Sequence, residues 1–306
     1  MKRACTCLPS VCAFFPLRTS RILASACAML LLSAVPTFAT EGFTAENQAA
    51  ANPEDSHQQA AMVSGGSLSI ENGRGDVWLE GTDQSQIVVE AHKIFEGGAD
   101  ADRERWMRET QVRLEGDEHH RIVRVDYPHE FDFGMHWGSI RRAVNLTIHI
   151  PRQANADLKT DRGKVNVRRI AGKLDLSTDR GDVDVNGCEG ELRVHGDRGR
   201  LTVSDSAIRG GLRVNFDRGD VDIRLTNFAG DSDIELDRGN LTLRLPAKSV
   251  FTLDVDRSRR STFHTDFPVL AHGSFGSTHL RGDVNGGGPV LRIRGDRGNV
   301  SLQAGQ

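Results

Sequence analysis

Thr178-Asp-Arg-Gly-Asp-Val-Asp-Val185 holds the pattern that decides the fold: an Asp-Arg-Gly triplet, and then aliphatic residues that alternate with polar ones. The triplet occurs six times, beginning at Asp161, Asp179, Asp197, Asp217, Asp237 and Asp296. The first five copies are spaced 18, 18, 20 and 20 residues apart, and Asp256-Arg257-Ser258 follows the fifth after 19. Sequence periods of this size are typical of stacked supersecondary units. The sequence therefore predicts a repeat protein.

Alternation of apolar and polar residues predicts short strands in every repeat. Successive side chains of a strand point to opposite faces, so Val183 and Val185 share one face while Asp182 and Asp184 share the other. Consecutive aliphatic pairs lie about ten residues apart with Gly, Asn or Asp between them, which gives two strands and two turns per repeat. We therefore expect an all-β fold, a parallel β-helix or β-solenoid with rungs of 18–20 residues and aliphatic side chains inside.

A glycine closes every triplet. These corner glycines are Gly163, Gly181, Gly199, Gly219, Gly239 and Gly298. Glycine at a repeated turn indicates either a positive φ or close packing of its backbone on the next rung. The aspartate two residues before each glycine is expected to accept hydrogen bonds from backbone N–H groups of the turn.

Each triplet also places an arginine directly after its aspartate. These arginines are Arg162, Arg180, Arg198, Arg218, Arg238 and Arg297, and Arg257 follows Asp256 in the same way. Rungs stack about 4.8 Å apart, so the aspartates alone would form a costly column of like charge. We expect the arginines to interlace with them in a structural ladder near neutrality, rather than a column of calcium sites.

The ends of the chain differ from the repeats. Residues 1–39 are typical of a signal peptide, because basic residues precede the apolar run 22–35 and Thr37-Phe38-Ala39 fits a cleavage site. Residues 40–66 are rich in Ala, Gln, Asn and Glu without periodicity, which predicts a disordered linker. Residues 67–150 contain strand-like segments and one short helical turn at 102–108, so we expect an N-terminal β cap there. Residues 151–306 form the predicted β-solenoid repeat domain.

The composition limits the cellular compartments and the classes of partner that are possible for this protein. Four of the five cysteines lie within residues 1–39, so Cys188 is alone in the mature chain and cannot form a disulfide within it. Removing residues 1–39 takes away four basic residues and no acidic one, which changes the net charge from −3 to −7. That charge argues against nucleic acid as a partner, and no second apolar run is long enough to span a bilayer. We expect an exported protein of the periplasm, the cell surface or the medium.

Several segments resemble a bacterial family of exported putative adhesins whose β-strand repeats form a domain of unknown function. The matching segments are Asn72-Gly-Arg-Gly-Asp-Val77, Leu146-Thr-Ile-His-Ile-Pro151, the Asp-Arg-Gly-x-Val units, Leu243-Arg-Leu-Pro246, Asp266-Phe-Pro268 and Gly286-Gly-Gly-Pro-Val-Leu-Arg-Ile293. The resemblance covers residues 67–305 and implies a parallel β-helix and surface attachment, with no catalytic residues. Arginine before nearly every corner glycine departs from the family's looser pattern, and this suggests a local solution for stability.

Arg-Gly-Asp is the first short pattern that suggests a binding site. It begins at Arg74, Arg180, Arg218, Arg281 and Arg294. In other repeats the residue after the corner glycine is Lys164, Arg200, Asn240 or Asn299. Such variation is expected of a tolerant position that faces solvent, and it argues against an integrin-binding motif.

An aromatic segment at residues 127–137 is the best candidate for a binding loop. Its aromatic residues include Tyr127, Phe131, Phe133 and Trp137. Aromatic faces on a loop can stack on sugar rings or on the apolar patch of a partner. Phe131, Phe133 and Trp137 can instead fold back to plug the open first rung, which is the interpretation that we favour.

Histidines in the second half of the predicted cap raise the question of a metal site. They are His119, His120, His129, His136 and His149. Their spacings match no zinc-binding motif, so we expect neither a metal nor another cofactor.

Acids and arginines on one face of a β-helix also occur in polysaccharide lyases and hydrolases. Catalysis needs a few groups in unlike environments, whereas a uniform ladder offers similar ones. Rungs of 18–20 residues are also shorter than we expect for those enzymes. We therefore expect a non-catalytic, adhesin-like or envelope-associated scaffold whose partner is an envelope polysaccharide or a surface protein. A β-helical enzyme that acts on acidic polysaccharide is the alternative.

Overall fold

The computed structural model describes residues 54–128, 140–272 and 278–305, and this part of the chain is nearly all β. Its first strands are β1 (Asp55–Ala61), β2 (Ser67–Arg74), β3 (Val77–Thr82), β4 (Gln86–Glu96), β5 (Gln111–Gly116), β6 (His120–Asp126) and β7 (Arg141–Pro151), with a helix α1 (Asp100–Glu109) between β4 and β5. Then follow β8 (Asn155–Arg162), β9 (Val165–Arg168), β10 (Ala171–Arg180), β11 (Val183–Asn186), β12 (Glu189–Arg198), β13 (Leu201–Arg218) and β14 (Val221–Phe228). The last strands are β15 (Ser232–Arg238), β16 (Leu241–Pro246), β17 (Phe251–Arg257), β18 (Ser261–Thr265), β19 (Val269–Ala271), β20 (His279–Val284) and β21 (Val290–Gly305). The predicted signal peptide lies outside the described residues.

Two runs of parallel strands form the β-solenoid-like stack. The first run contains, in spatial order, β6, β2, β8, β10, β12, the second half of β13, β15, the first half of β21 and β17. The second run contains β7, β3, β9, β11, the first part of β13, β14, β16, the second half of β21 and β18. Between residues 155 and 246, paired residues are 18 to 20 positions apart, as in Val165 with Val183 and Val221 with Leu241. This register repeats with the spacing of the triplets.

One strand from each run makes a rung. In spatial order the rungs are rung 1 (67–82), rung 2 (155–168), rung 3 (171–186), rung 4 (189–208), rung 5 (211–228), rung 6 (232–246), rung 7 (290–305) and rung 8 (251–265). Residues 290–305 thus lie between two rungs that precede them in the chain. β21 pairs with β15 and β16 on one side, and with β17 and β18 on the other.

This order corrects two expectations. In rung 8, Arg257 faces Gly295 and not a corner arginine, so the expected step of the ladder at Asp256 is wrong. At the other end, β2 and β3 pair directly with β8 and β9. Residues 67–82 therefore belong to the stack, and the predicted cap begins too early, because a repeat that is distant in sequence can pair as well as a neighbouring one.

The end of the stack before rung 1 is closed by antiparallel strands and α1. β4 pairs antiparallel with β1 and with β7, and β5 pairs antiparallel with β6. In α1, Trp106 is 1% exposed and its ring lies 5.8 Å from that of Phe95. The helix, which spans Asp100–Glu109, is longer than the predicted turn at 102–108. Within the described ranges, no helix combines the length and the apolar character of a membrane span.

Residues 55–66 are ordered, contrary to the prediction of a disordered linker over 40–66. β1 pairs with β4 from Asp55 to Ala61, and Met62 is buried in the core. The edge of β4 supplies hydrogen-bond partners for the backbone of β1. The composition of residues 55–66 alone gives no sign of this pairing. Residues 40–53 lie outside the described part of the chain.

Aliphatic side chains fill the space between the two runs. Val165, Val183 and Leu201 follow one another in register and are at most 1% exposed, while Asp184 is exposed. Burying such a side chain contributes about 1.5–3 kcal/mol relative to leaving it in water. Cys188 is a free thiol in this core, and burial raises its pKa to about 11. The stack is thus held by packing and by the backbone bonds between rungs.

Candidate interaction surface at the Asp-Arg-Gly corner

Backbone contacts between rungs explain the glycine at each corner. The N–H of Gly163 donates to the carbonyl oxygen of Arg180 in the next rung, and the same bond recurs between successive rungs from 1 to 7. The corner glycines have φ between 126° and 154°. A Cβ on Gly219 would lie 1.6 Å from the carbonyl oxygen of Gly199. Both predicted reasons for glycine, positive φ and close packing, are confirmed.

The residue after each corner glycine continues this backbone ladder. The Oδ1 of Asp76 accepts the N–H of Lys164 at 2.8 Å, and Asp182 accepts the N–H of Arg200 at 3.0 Å. Asp220 and Asn240 extend the series by accepting the N–H of Asn240 and Asn299, at 3.1 and 3.3 Å. The prediction that the aspartate before the arginine accepts these bonds is wrong, because the acceptors follow the corner glycine. The alternation of acid and base along this position was the signal that could have revealed the acceptors.

These bonds also explain three of the Arg-Gly-Asp sequences. The aspartates of those at Arg74, Arg180 and Arg218 are the backbone acceptors just described. In the copy at Arg281, the hydroxyl of Thr252 donates to Asp283 at 2.8 Å and His272 lies 2.9 Å away, which together hold the pKa of that carboxyl below its usual value. In these copies the aspartate stabilises the fold, which supports the interpretation against integrin binding.

Arginine stacks on arginine along the corner. The strand register places the following residues in one column, which we call the arginine column: Arg74, Arg162, Arg180, Arg198, Arg218, Arg238 and Arg297. All seven are exposed. Immediately before them lies the aspartate column, Asp161, Asp179, Asp197, Asp217, Asp237 and Asp296, whose members are exposed as well. We refer to the two columns together as the corner strip.

The expected interlaced ladder does not form in the corner strip. Among the described residues, only Arg297 and Asp296 bring a guanidinium and a carboxylate of the two columns within 4 Å, at 3.5 Å. Exposed ion pairs gain little free energy because water screens the charges and the long side chains lose rotamer freedom. The prediction of an interlaced Asp/Arg ladder at the corner is therefore wrong, whereas the predicted placement of these residues on the solvated surface is correct.

A charge ladder exists instead on the outward face of the first run. We call it the face ladder, and its column in register is Asp157, Asp175, Arg193, Arg213, Asp233, Arg292 and Asp254. Arg292 lies 3.5 Å from Asp233 and 3.8 Å from Asp254. Arg193 lies 2.7 Å from Glu191, which precedes it on the same strand. An open groove of about 340 Å³ runs over rungs 3 to 6 of this face, and its lining contains both acids and arginines.

Of the aromatic residues in the segment, Tyr127 is among the described residues, and it hydrogen-bonds to rung 1. Its hydroxyl lies 2.6 Å from Oδ1 of Asn72 and accepts the N–H of Arg74 at 3.2 Å. Burial raises the pKa of Tyr127 to about 12. Phe131, Phe133 and Trp137 lie outside the described residues, so the plug interpretation and the binding-loop hypothesis both stay predictions.

The described histidines of the cap make separate contacts. His120 hydrogen-bonds Ser67 through its Nδ1, and His149 lies 3.6 Å from Glu80. His129 and His136 are not among the described residues. In residues 54–128, 140–272 and 278–305, no group of three or more His, Cys, Asp or Glu side chains is placed to hold a metal ion.

A comparison with models of protein families shows which family this chain belongs to. A family model described as Toastrack DUF4097 matches residues 65–256 and, in a second overlapping match, residues 155–302. The chain belongs to the Toastrack family. The resemblance drawn from the sequence, to a family of putative adhesins with a domain of unknown function, is thereby confirmed. No curated protein matches the sequence.

Solved structures similar to this Toastrack chain come from several bacteria. One is a putative cell adhesion protein from Clostridium sporogenes ATCC 15579, with 9% identity and a TM-score of 0.36 over 82% of this chain and 100% of that one. Another is a putative adhesin from Parabacteroides merdae ATCC 43184, with 10% identity and a TM-score of 0.37 over 83% and 98% of the two chains. A third is a putative lipid binding protein from Parabacteroides distasonis ATCC 8503, with 9% identity and a TM-score of 0.37 over 82% and 97%.

Proposed function

We propose that this Toastrack protein is an exported, non-catalytic parallel β-helix that acts as an adhesin-like or envelope-associated interaction scaffold. The observation that carries the proposal is the corner strip, in which exposed charges repeat in register through seven rungs without serving the core. Repeat proteins commonly present extended binding surfaces of this kind. The signal pattern in residues 1–39 supports export, and the resemblance to putative adhesins supports a role in surface contact.

Two features favour a scaffold over a polysaccharide lyase or hydrolase. A catalytic pair of acids needs environments that separate the two pKa values. In the groove over rungs 3 to 6, however, the acids lie beside arginines, as Asp233 does between Arg292 and Arg294 at 3.5 and 3.6 Å. The described carboxyls with clearly lowered pKa, Asp117 and Asp283, lie elsewhere and hold structural hydrogen bonds.

Localisation and binding can be tested together. Cell fractionation of a strain that carries an epitope-tagged chain should place the protein outside the cytoplasm, with residues 1–39 removed. Purified protein should show saturable binding to isolated envelope fractions, and it should release no fragments from acidic polysaccharides. Cytoplasmic retention, or release of fragments that depends on a specific acid, would contradict the proposal.

A further inference from the structure

Steric demands explain the glycine of each corner, but not the arginine before it. A Cβ at Gly181 would meet the carbonyl oxygen of Gly163 at 1.7 Å, so this position admits glycine alone. The arginine contributes its backbone carbonyl to the ladder, which any residue can supply. Its side chain is exposed in all seven rungs. The repeated choice of arginine therefore points to a role outside the core.

The arginine column is electrostatically unfavourable by itself. Neighbouring rungs lie about 4.8 Å apart, so seven guanidiniums repeat over about 29 Å. Within the described residues, only Arg297 among them has a carboxylate within 4 Å. On the face ladder, by contrast, Arg292 has two. A row of like charges without partners inside the molecule is the arrangement expected where an external polyanion supplies the partners.

The two columns of the corner strip have complementary hydrogen-bonding capacity. Guanidinium groups only donate, and they bind carboxylate or sulfate oxygens in bidentate geometry. Ionised carboxylates only accept. A ligand that lies along the strip must therefore present anionic oxygens to one column and hydroxyl donors to the other. Acidic sugars carry both groups on every ring.

We propose that the corner strip binds a linear acidic polysaccharide, with the acid group of successive sugars on the arginine column and sugar hydroxyls on the aspartate column. This inference rests on the proposed scaffold function and names the ligand class for it. The arginines repeat about every 4.8 Å along the strip, which is of the order of the length of one sugar ring. The strip provides seven arginines, six of which follow an aspartate of the aspartate column.

Other polyanions fit the strip less well. Polyphosphate and the backbone of DNA offer acceptor oxygens but no hydroxyl donors, so the aspartate column repels them. A flat anionic membrane would bring its head groups against both columns at once. The aspartates thus act as the selective element, because they penalise any anion that has nothing to donate.

Polygalacturonate is a suitable probe, because its fully methyl-esterified form is a neutral control with the same backbone. Calorimetry should show salt-dependent binding of polygalacturonate and none of the ester. With oligomers of increasing length, affinity should rise up to about seven rings, one for each rung of the column. This length series uses the unaltered protein, so it does not depend on whether a variant folds.

Substitutions test whether polygalacturonate binds at the arginine column. The triple variant Arg180→Gln, Arg198→Gln, Arg218→Gln should weaken binding at least about tenfold. The matched control Lys159→Gln, Lys173→Gln, Arg224→Gln removes three exposed cations elsewhere and should change affinity less than about twofold. Exchange of Asp179, Asp197 and Asp217 for Asn keeps acceptor oxygens but removes the negative charge. This variant should still bind polygalacturonate and should also bind polyphosphate.

Three results would overturn the inference. They are no binding of polygalacturonate, equal weakening in both cation triples, and tighter binding of the unaltered protein to polyphosphate or to phosphatidylglycerol vesicles than to polygalacturonate. If envelope fractions bind while polygalacturonate does not, the ligand class is wrong and the scaffold function stands.

Discussion

The face ladder and the corner strip use the same residue types in opposite arrangements. On the face, Arg292 lies within 4 Å of both Asp233 and Asp254, so opposite charges are neighbours there. At the corner, arginine stacks on arginine and aspartate on aspartate. Both surfaces balance their charges, but only the face ladder gives most of its charges a partner inside the molecule. The difference indicates that the face serves stability, and it is the basis for our proposal that the side chains of the corner contact another molecule.

Replacing a corner glycine should have the largest effect on the free energy of unfolding. The backbone of the corner is tightly packed between rungs, whereas the Asp and Arg side chains of the corner are exposed. Gly219→Ala places a Cβ 1.6 Å from the carbonyl oxygen of Gly199, so we expect a loss of about 4 kcal/mol or more in the free energy of unfolding. Chemical denaturation followed by circular dichroism measures this. Gly65→Ala is the control, since Gly65 has φ +84° but open space around its Cβ, and should cost about 1–2 kcal/mol. Equal losses in the two variants would disprove the steric explanation.

Removing a backbone acceptor of the corner should have a smaller effect. Asp182→Ala deletes the bond to the N–H of Arg200 and should cost about 1 kcal/mol. Asp182→Asn should retain stability, because Asn240 performs the same role in rung 6. Asp184→Ala, at an exposed position on the adjacent strand, is the matched control and should change the free energy of unfolding by less than about 0.5 kcal/mol. A loss at Asp184 as large as that at Asp182 would contradict the assignment.

Removing one arginine from the face ladder and one from the corner strip tests the difference between these two surfaces. Both substitutions should change the free energy of unfolding less than the preceding ones. Arg292→Gln should destabilise by about 0.5–1 kcal/mol, and added salt should reduce that loss because the pairs with Asp233 and Asp254 are partly exposed. Arg218→Gln should leave stability unchanged or raise it slightly, since it relieves repulsion within the arginine column. Thermal unfolding at low and high salt distinguishes the two. A clear loss from Arg218→Gln would mean that the corner arginines stabilise the fold.

The local features of the stack could be predicted from the sequence because each depends on a short pattern. The alternation around Val183 and the glycine at position 181 identify a strand and a tight corner without knowledge of distant residues. The ordered residues 55–66 and the early start of the stack at residue 67 depend instead on pairing with distant strands. Composition carries no signal for such pairing.

The position of rung 7 and the location of the charge ladder required the structure. Every rung presents nearly the same pattern, so residues 290–305 match the edge of rung 6 as well as residues 251–265 do. The ion pairs were expected between adjacent Asp and Arg of one triplet, yet they form across strands at positions such as Asp233 and Arg292. Aligning the outward positions of successive repeats would have shown that this column of the face contains both Asp and Arg.

Engineered disulfides test most directly the claim that corner arginines stack in the order of the rungs. Cα atoms of adjacent rungs lie within the roughly 4.4–6.8 Å that a disulfide needs. In a Cys188→Ala background, oxidation of Arg238→Cys with Arg297→Cys should link residues 59 positions apart, because β15 and β21 pair at these residues. Arg238→Cys with Arg257→Cys should remain unlinked, because rung 7 lies between them. Mass spectrometry showing the second linkage in place of the first would contradict the account.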